Sequence, residues 1–203
     1  MNSTIACEQI AASAQFRHLS SIAGIGVELR YATPDNFAGR DLYSPFDCAW
    51  LHRDAAAALE QVVAWLAAQR PDCSVLVLDA LRPQRVQQQL WAALAGTELQ
   101  MYLAEPTRGS IHSFGMALDI TLRDGDGREL DMGTGFDDLS ELSHPALEAR
   151  FLASGALTAA QVANRALLRA AMTQAGFHGI HSEWWHFDCG DRALVRQNFQ
   201  RVL

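Results

Sequence analysis

No run of apolar residues in this chain approaches the ~18 that cross a bilayer, which excludes a membrane-spanning helix on length alone. Cysteine is sparse: Cys7, Cys48, Cys73 and Cys189 are thinly spread over 203 residues, and a domain of this size stands without disulfide staples. A reducing, cytoplasmic setting is the expectation. Basic blocks are missing as well. The 16 basic residues are scattered singly against 23 acidic ones, for a formal charge of -7, which is the wrong footprint for a nucleic acid or an anionic membrane. A small molecule is the better partner. The first ten residues, Met1 to Ile10, lack the basic flank and unbroken apolar stretch of a secretory leader; a mature periplasmic form that had lost its leader would read the same way. No linker, repeat or low-complexity tract interrupts the sequence, and 49% apolar residues suffice for a core. The expectation is one domain over residues 1–203, with 1–20 as an N-terminal extension. Nothing in the sequence speaks to oligomeric state.

Local patterns predict the elements. Residues 54–69 read as a core helix, with Asp54 as cap, Leu59, Val62, Val63 and Leu66 at helical spacing, and Pro71 beyond its end. Ser74 to Asp79 is a continuous apolar run, too short for a helix, and reads as a central strand buried on both faces. Pro83 suits the first position of a second helix carrying Val86, Leu90 and Leu94, and 96–109 reads as loop. Residues 111–122 read as a turn into a strand, followed by a hairpin turn at Asp124-Gly-Asp-Gly127. Thr158 with Gln161 makes a capping box for a helix that Gly176 ends, and Trp184 to Asp188 reads as the last strand. Helices interleaved with short strands, some joined by hairpins, give an α+β class: a small antiparallel or mixed sheet flanked by helices.

Two segments concentrate the chemistry, Ser110-Ile-His-Ser-Phe-Gly-Met-Ala-Leu-Asp119 and Glu183-Trp-Trp-His186. A catalytic zinc takes three protein ligands and leaves a fourth position to water, whose pKa it lowers to about 7. His112, Asp119 and His186 can fill the three positions, and Glu183 stays free to act as general base. A lone histidine is usually structural; here glycines flank His112, Asp119 sits in an apolar strand where an unpaired carboxylate is costly, and aromatic residues surround His186. On a regular strand, residues three apart face opposite sides, so Glu183 and His186 share an ion only if the strand bends, bulges or begins between them. By the same parity His181 is a competing ligand, and His178 a weaker one. His18, His52 and His144 read as surface or structural residues. Arg82, at the start of a helix where the dipole disfavours a cation, needs an anionic partner: Asp79, or a substrate carboxylate. Trp184 and Trp185 read as core more readily than as a substrate platform. The turn-rich segment from Tyr31 to Phe37, with Gly39 and Tyr43, either edges a site or connects elements.

From about Val27 to Asp188 the chain resembles the zinc D-alanyl-D-alanine dipeptidases of the type found in vancomycin resistance. These are related to the D-Ala-D-Ala carboxypeptidases and, in fold, to the Hedgehog signalling domain. The resemblance rests on Tyr31-Ala-Thr-Pro-Asp-Asn-Phe-Ala-Gly39, Asp79-Ala-Leu-Arg-Pro83, Ser110-x-His-x-x-Gly-x-Ala-x-Asp119, Met132-Gly-Thr-Gly-Phe-Asp137 and Glu183-Trp-Trp-His186. It implies one Zn2+ per chain on His112, Asp119 and His186, Glu183 as general base, and Arg82 polarising the scissile carbonyl and steadying the oxyanion. It also implies Asp137 near the free ammonium of a dipeptide substrate, Ser110 and Tyr43 near its carboxylate, and Tyr31 as a further substrate-binding residue. The chain departs from many relatives at Phe114 and in a short 96–109 loop, both expected near the pocket and bearing on the choice of substrate side chain. Two rivals share the metal site: a peptidoglycan carboxypeptidase or endopeptidase, which needs export and an open groove, and a non-catalytic zinc-stabilised binding module, which has no use for Glu183 and Arg82.

Overall fold

The computed structural model describes residues 3–203. In chain order it contains β1 (Thr4–Ile5), β2 (Phe16–His18), β3 (Ile25–Val27), β4 (Trp50–His52), α1 (Arg53–Gln69), β5 (Ser74–Asp79), α2 (Gln84–Ala93), β6 (Ala117–Arg123), α3 (Glu148–Ser154), α4 (Ala159–Gln174), β7 (Phe177–Gly179), β8 (His186–Cys189), α5 (Arg192–Asn198) and β9 (Arg201–Val202). The class is α+β, and the central sheet is mixed. Its order is β3-β5-β6-β8-β7, with β3 parallel to β5 and every other neighbour antiparallel. Helices α1 and α4 pack on each other and on this sheet. No helix among the described residues is long and apolar enough to cross a membrane.

Each long helix follows from its sequence. Leu59, Val62 and Leu66 of α1 are fully or almost fully buried, and burying such a side chain contributes at most about 1.5–3 kcal/mol. Asp54 is not the cap: the helix begins one residue earlier, and His52, with an extended backbone, accepts the Asp54 backbone N–H at its Nδ1, 3.2 Å away. Pro83 likewise stands at the cap of α2 rather than inside it. Both halves of the predicted box at Thr158 and Gln161 are formed at the start of α4, and Gly176 follows its end with φ 85°. Within 96–109, a short 3-10 turn spans Glu98–Tyr102.

The register of the sheet does the most for function. Asp79 lies opposite Asp119, and Asp119 opposite His186, so three polar residues form one row across β5, β6 and β8. Facing residues of an antiparallel pair point to the same side. Asp79 joins the row only because the pairing slips between Val77 and Asp79; without that irregularity Leu78 would face Asp119 and Asp79 would point to the other side. The rest of these strands is apolar. Val75, Val77, Leu118, Ile120 and Leu122 fill the larger core with residues of α1 and α4. A second core gathers Cys7, Ile10 and Phe16 with Tyr31, Tyr43, Leu81 and Leu90. The first residues described are therefore packed against the body, and β1 pairs in parallel with β9 near the other end of the chain.

Candidate functional site

His112 stands on a single 3-10 turn, Ile111–Phe114, that leads into β6. Gly115 closes the turn at φ 65°, where a Cβ would come within 2.7 Å of the His52 backbone nitrogen. A side chain there is excluded by both strain and space. Asp119 follows on β6 and His186 opens β8, so the strand begins after Glu183. That placement removes the parity conflict between Glu183 and His186. Three side-chain atoms converge: His186 Nδ1 is 3.0 Å from Asp119 Oδ1, His112 Nε2 is 3.1 Å from His186 Nδ1 and 3.4 Å from Asp119 Oδ1. All three residues are buried.

The far side of each group fixes which atom faces inward. His112 Nδ1 donates to the Ala80 carbonyl, 2.8 Å away, so its Nε2 presents a lone pair. His186 Nε2 donates to Asp188 Oδ1 at 3.0 Å, which turns Nδ1 toward the cluster. Arg82 binds Asp119 Oδ2 at 3.1 Å and leaves Oδ1 free. With both rings neutral, three acceptors face one point, an arrangement that suits a cation. Their separations fit one: ligands at 2.0–2.1 Å around a tetrahedral zinc stand about 3.3 Å apart. Without an ion, the same surroundings draw protons instead. Burial alone would discharge His186, yet Asp188 and Asp119 push it up to about 10. Burial alone would raise Asp119, yet the charges of His112 and His186 hold it far below the usual carboxylate range. The donor set and its outer hydrogen bonds therefore suit a divalent ion with nitrogen and oxygen ligands.

A cleft of about 760 Å³ opens over this cluster. Glu183 lines it, half-buried; burial raises its carboxyl to about 7, against the pull of His186 and Arg82. The Arg82 guanidinium lies on the wall, 4.8 Å from the centre of the Tyr31 ring, with Nε 2.9 Å from Asp79 Oδ2. Arg82 therefore bridges Asp79 and Asp119. Asp137 also reaches the cleft. The Tyr31 hydroxyl donates to its Oδ1 at 3.0 Å, while its Oδ2 is buried with no partner. Burial and the Asp119 charge raise its carboxyl well above the usual range. Ser110 lines the cleft with a hydroxyl not spent on capping.

Tyr43 is not brought to the cleft. It is buried, and its hydroxyl donates to Asp79 behind Arg82. Phe114, expected near the pocket, turns fully into the core; the 96–109 loop does reach the cleft, through Tyr102 and Leu103 among others. His181 and His178 line the wall but stand outside the three-residue cluster. His144, read as a surface or structural residue, lines it too and bonds the Tyr102 hydroxyl at 2.9 Å. His52 is structural, and His18 pairs with Asp47 at 2.9 Å. Trp184 and Trp185 are both core, and Trp185 also forms part of the wall.

Sequence reasoning missed the support. Asp188 stands two residues from His186 on the same face of β8, a parity that could have marked it as the partner of that ring. Arg165 of α4 left no local signal. Its buried side chain donates to the Met132 carbonyl at 2.7 Å and the Leu142 carbonyl at 3.1 Å, clamping the loop that carries Asp137. Trp184 Nε1 ties the same loop through Thr134 Oγ1 at 2.8 Å.

A family model described as D-ala-D-ala dipeptidase matches residues 13–202. The D-alanyl-D-alanine dipeptidase of Escherichia coli K12 is 42% identical over 162 residues, 80% of this chain and 77% of that protein. Those of Enterococcus faecium and Synechocystis are 30% identical over 199 residues (88% and 92%) and 32% identical over 173 residues (70% and 70%), respectively.

Proposed function

The chain belongs to the D-ala-D-ala dipeptidase family, and from that premise we propose that it is a zinc metallopeptidase that hydrolyses D-alanyl-D-alanine and similar small dipeptides. We infer His112, Asp119 and His186 as the ligands of one zinc ion. The observation that carries this is the convergence of their three acceptor atoms on one point, each fixed from behind by its own hydrogen bond. When bound, the ion supplies Lewis acidity and brings water within reach of a weak base near neutral pH.

The remaining chemistry belongs to the side chains. Glu183, poised near neutrality by burial, takes the proton of the attacking water and returns it to the leaving amine. Arg82 cannot move far, because Asp79 and Asp119 hold it, and it meets the negative charge that develops on the carbonyl oxygen. Tyr31 orients Asp137, whose open oxygen receives the substrate ammonium. Ser110 stands toward the substrate carboxylate. Two charged anchors at fixed spacing would measure the length of a dipeptide. The reading extends to a fold shared with the D-Ala-D-Ala peptidases and the Hedgehog domain, to the chain serving as one catalytic domain, and to work on small wall-derived dipeptides in the cytoplasm.

The test is release of free amino acid from a panel of dipeptides of defined stereochemistry, with and without a chelator. Hydrolysis confined to D-configured dipeptides and abolished by chelation is expected; activity that survives complete metal removal would refute the mechanism.

A further inference from the structure

The chain contains no lysine; all 16 of its basic residues are arginine. Three of them, Arg108, Arg192 and Arg196, line the cleft on the wall built by the segment leading to Ser110 and by α5. They are close enough to repel. Burial, followed by the charges of Arg108 and Arg192, pulls the Arg196 guanidinium below its usual range, with Asp188 opposing and Arg201 adding a smaller push. Arg196 Nε is fixed on the Gly109 carbonyl at 3.1 Å, and Arg201, behind the wall, holds the Arg108 carbonyl at 3.0 Å, so Arg196 is anchored by backbone while the Arg108 side chain stays exposed. Arg192 has a carboxylate partner, Asp188. Among the described residues Arg108, Arg196 and Arg201 enter no ion pair, and Arg201 Nε is buried without a partner.

Arginine does not relieve such crowding by losing its proton, because its guanidinium stays charged at any working pH. Asp188 relieves part of it through Arg192, and an anion in the cleft would relieve the rest. One α-carboxylate occupies one guanidinium fork, and a cleft of about 760 Å³ lies in the upper part of the range that houses drug-sized ligands, far more than two alanines fill. We propose that this arginine wall is a subsite for a second carboxylate, so that the cleft accepts dipeptides whose C-terminal residue is acidic, of the D-aspartate or D-glutamate type. The assignment of the wall to the C-terminal side rests on the proposed function, in which Asp137 takes the ammonium and Ser110 stands at the carboxylate end.

The test compares D-Ala-D-Glu with its neutral isostere D-Ala-D-Gln, with D-Ala-D-Ala as reference, at low ionic strength. The wild-type protein is expected to favour the acidic over the isosteric neutral dipeptide by at least tenfold in kcat/KM, and added salt is expected to erode that ratio. Arg108→Gln, an exposed residue whose removal disturbs no packing, is expected to lower the ratio at least threefold, Arg196→Gln to lower it further, and Arg196→Lys to restore part of it. Equal rates on the two isosteres, or a preference that survives Arg108→Gln with Arg196→Gln, would overturn the proposal. So would rejection of D-Ala-D-Glu by a protein that cleaves D-Ala-D-Ala. If no dipeptide is cleaved, the dipeptidase reading fails separately. Binding of free D-glutamate against D-glutamine, followed by titration calorimetry, then decides the subsite: preference for D-glutamate lost in the double variant supports it, and no preference sinks it.

Discussion

Asp137→Asn removes from the cleft a carboxyl group that can ionise, and almost no volume. In the native protein Asp137 keeps one oxygen on the Tyr31 hydroxyl at 3.0 Å and the other buried and unpartnered. Its carboxyl is raised by burial, so an arriving ammonium both ionises it and fills its empty acceptor. Truncating one partner of a buried, hydrogen-bonded charge pair costs roughly 2–5 kcal/mol. The lower part of that range applies because Asp137 is only half-buried; about 2–3 kcal/mol corresponds to a 30- to 150-fold loss in kcat/KM. The loss should fall mainly on KM, since the ammonium is bound equally before and during the reaction. The assay pairs D-Ala-D-Ala with its N-acetyl form, which carries no ammonium. Wild type should discriminate strongly against the acetylated dipeptide, and Asp137→Asn should cleave the two at similar, low efficiency. A variant that keeps the full preference for the free amine, or a wild type indifferent to acetylation, would refute the assignment of Asp137.

Three further outcomes follow from the same geometry. Glu183→Gln should leave metal content unchanged while lowering kcat by about 10²–10⁴-fold, the usual share of a general base; unaltered turnover would remove Glu183 from the mechanism. In wild type, kcat/KM should fall as acidity rises, because the carboxylate must be unprotonated to act. The midpoint should lie below about 7, since a bound cation favours the ionised form, and a flat profile from pH 5 to 8 at constant metal content would contradict it. Arg165→Met strips the donors from the Met132 and Leu142 carbonyls and should destabilise the fold by about 2–4 kcal/mol, lowering the urea midpoint and raising KM through Asp137; an unchanged midpoint would show the clamp to be idle.

How far the sequence announced this protein depends on the range of each interaction. Helices α1 and α4 and strand β5 were legible because their determinants are local: apolar spacing at Leu59, Val62 and Leu66, a four-residue box at Thr158, an unbroken apolar run after Ser74. The meeting of His112, Asp119 and His186 was legible as a set of residue types, while its geometry depended on where β8 begins. Read as a strand from Trp184, the segment set Glu183 and His186 against each other; started at His186, it does not. The slip at Leu78 that brings Asp79 into the polar row has no signature in a run of Val and Leu. Tyr43 illustrates the same limit. The resemblance places it near the substrate carboxylate, but only packing reveals that it supports Asp79 from behind. Arg165, the pairing of β1 with β9, and the arginine wall all join residues remote in sequence. Register and packing decide such contacts, and periodicity does not reach them.

The central claim is one ion held by two imidazoles and a carboxylate, and the most direct measurement is metal content with X-ray absorption at the metal edge. One equivalent of zinc per chain is predicted, with nitrogen and oxygen neighbours at about 2.0–2.1 Å, an imidazole signal from two rings, and loss of the ion on His112→Ala or Asp119→Ala. Protein that purifies active without a stoichiometric transition metal, or that retains its zinc unchanged in both variants, would contradict the account.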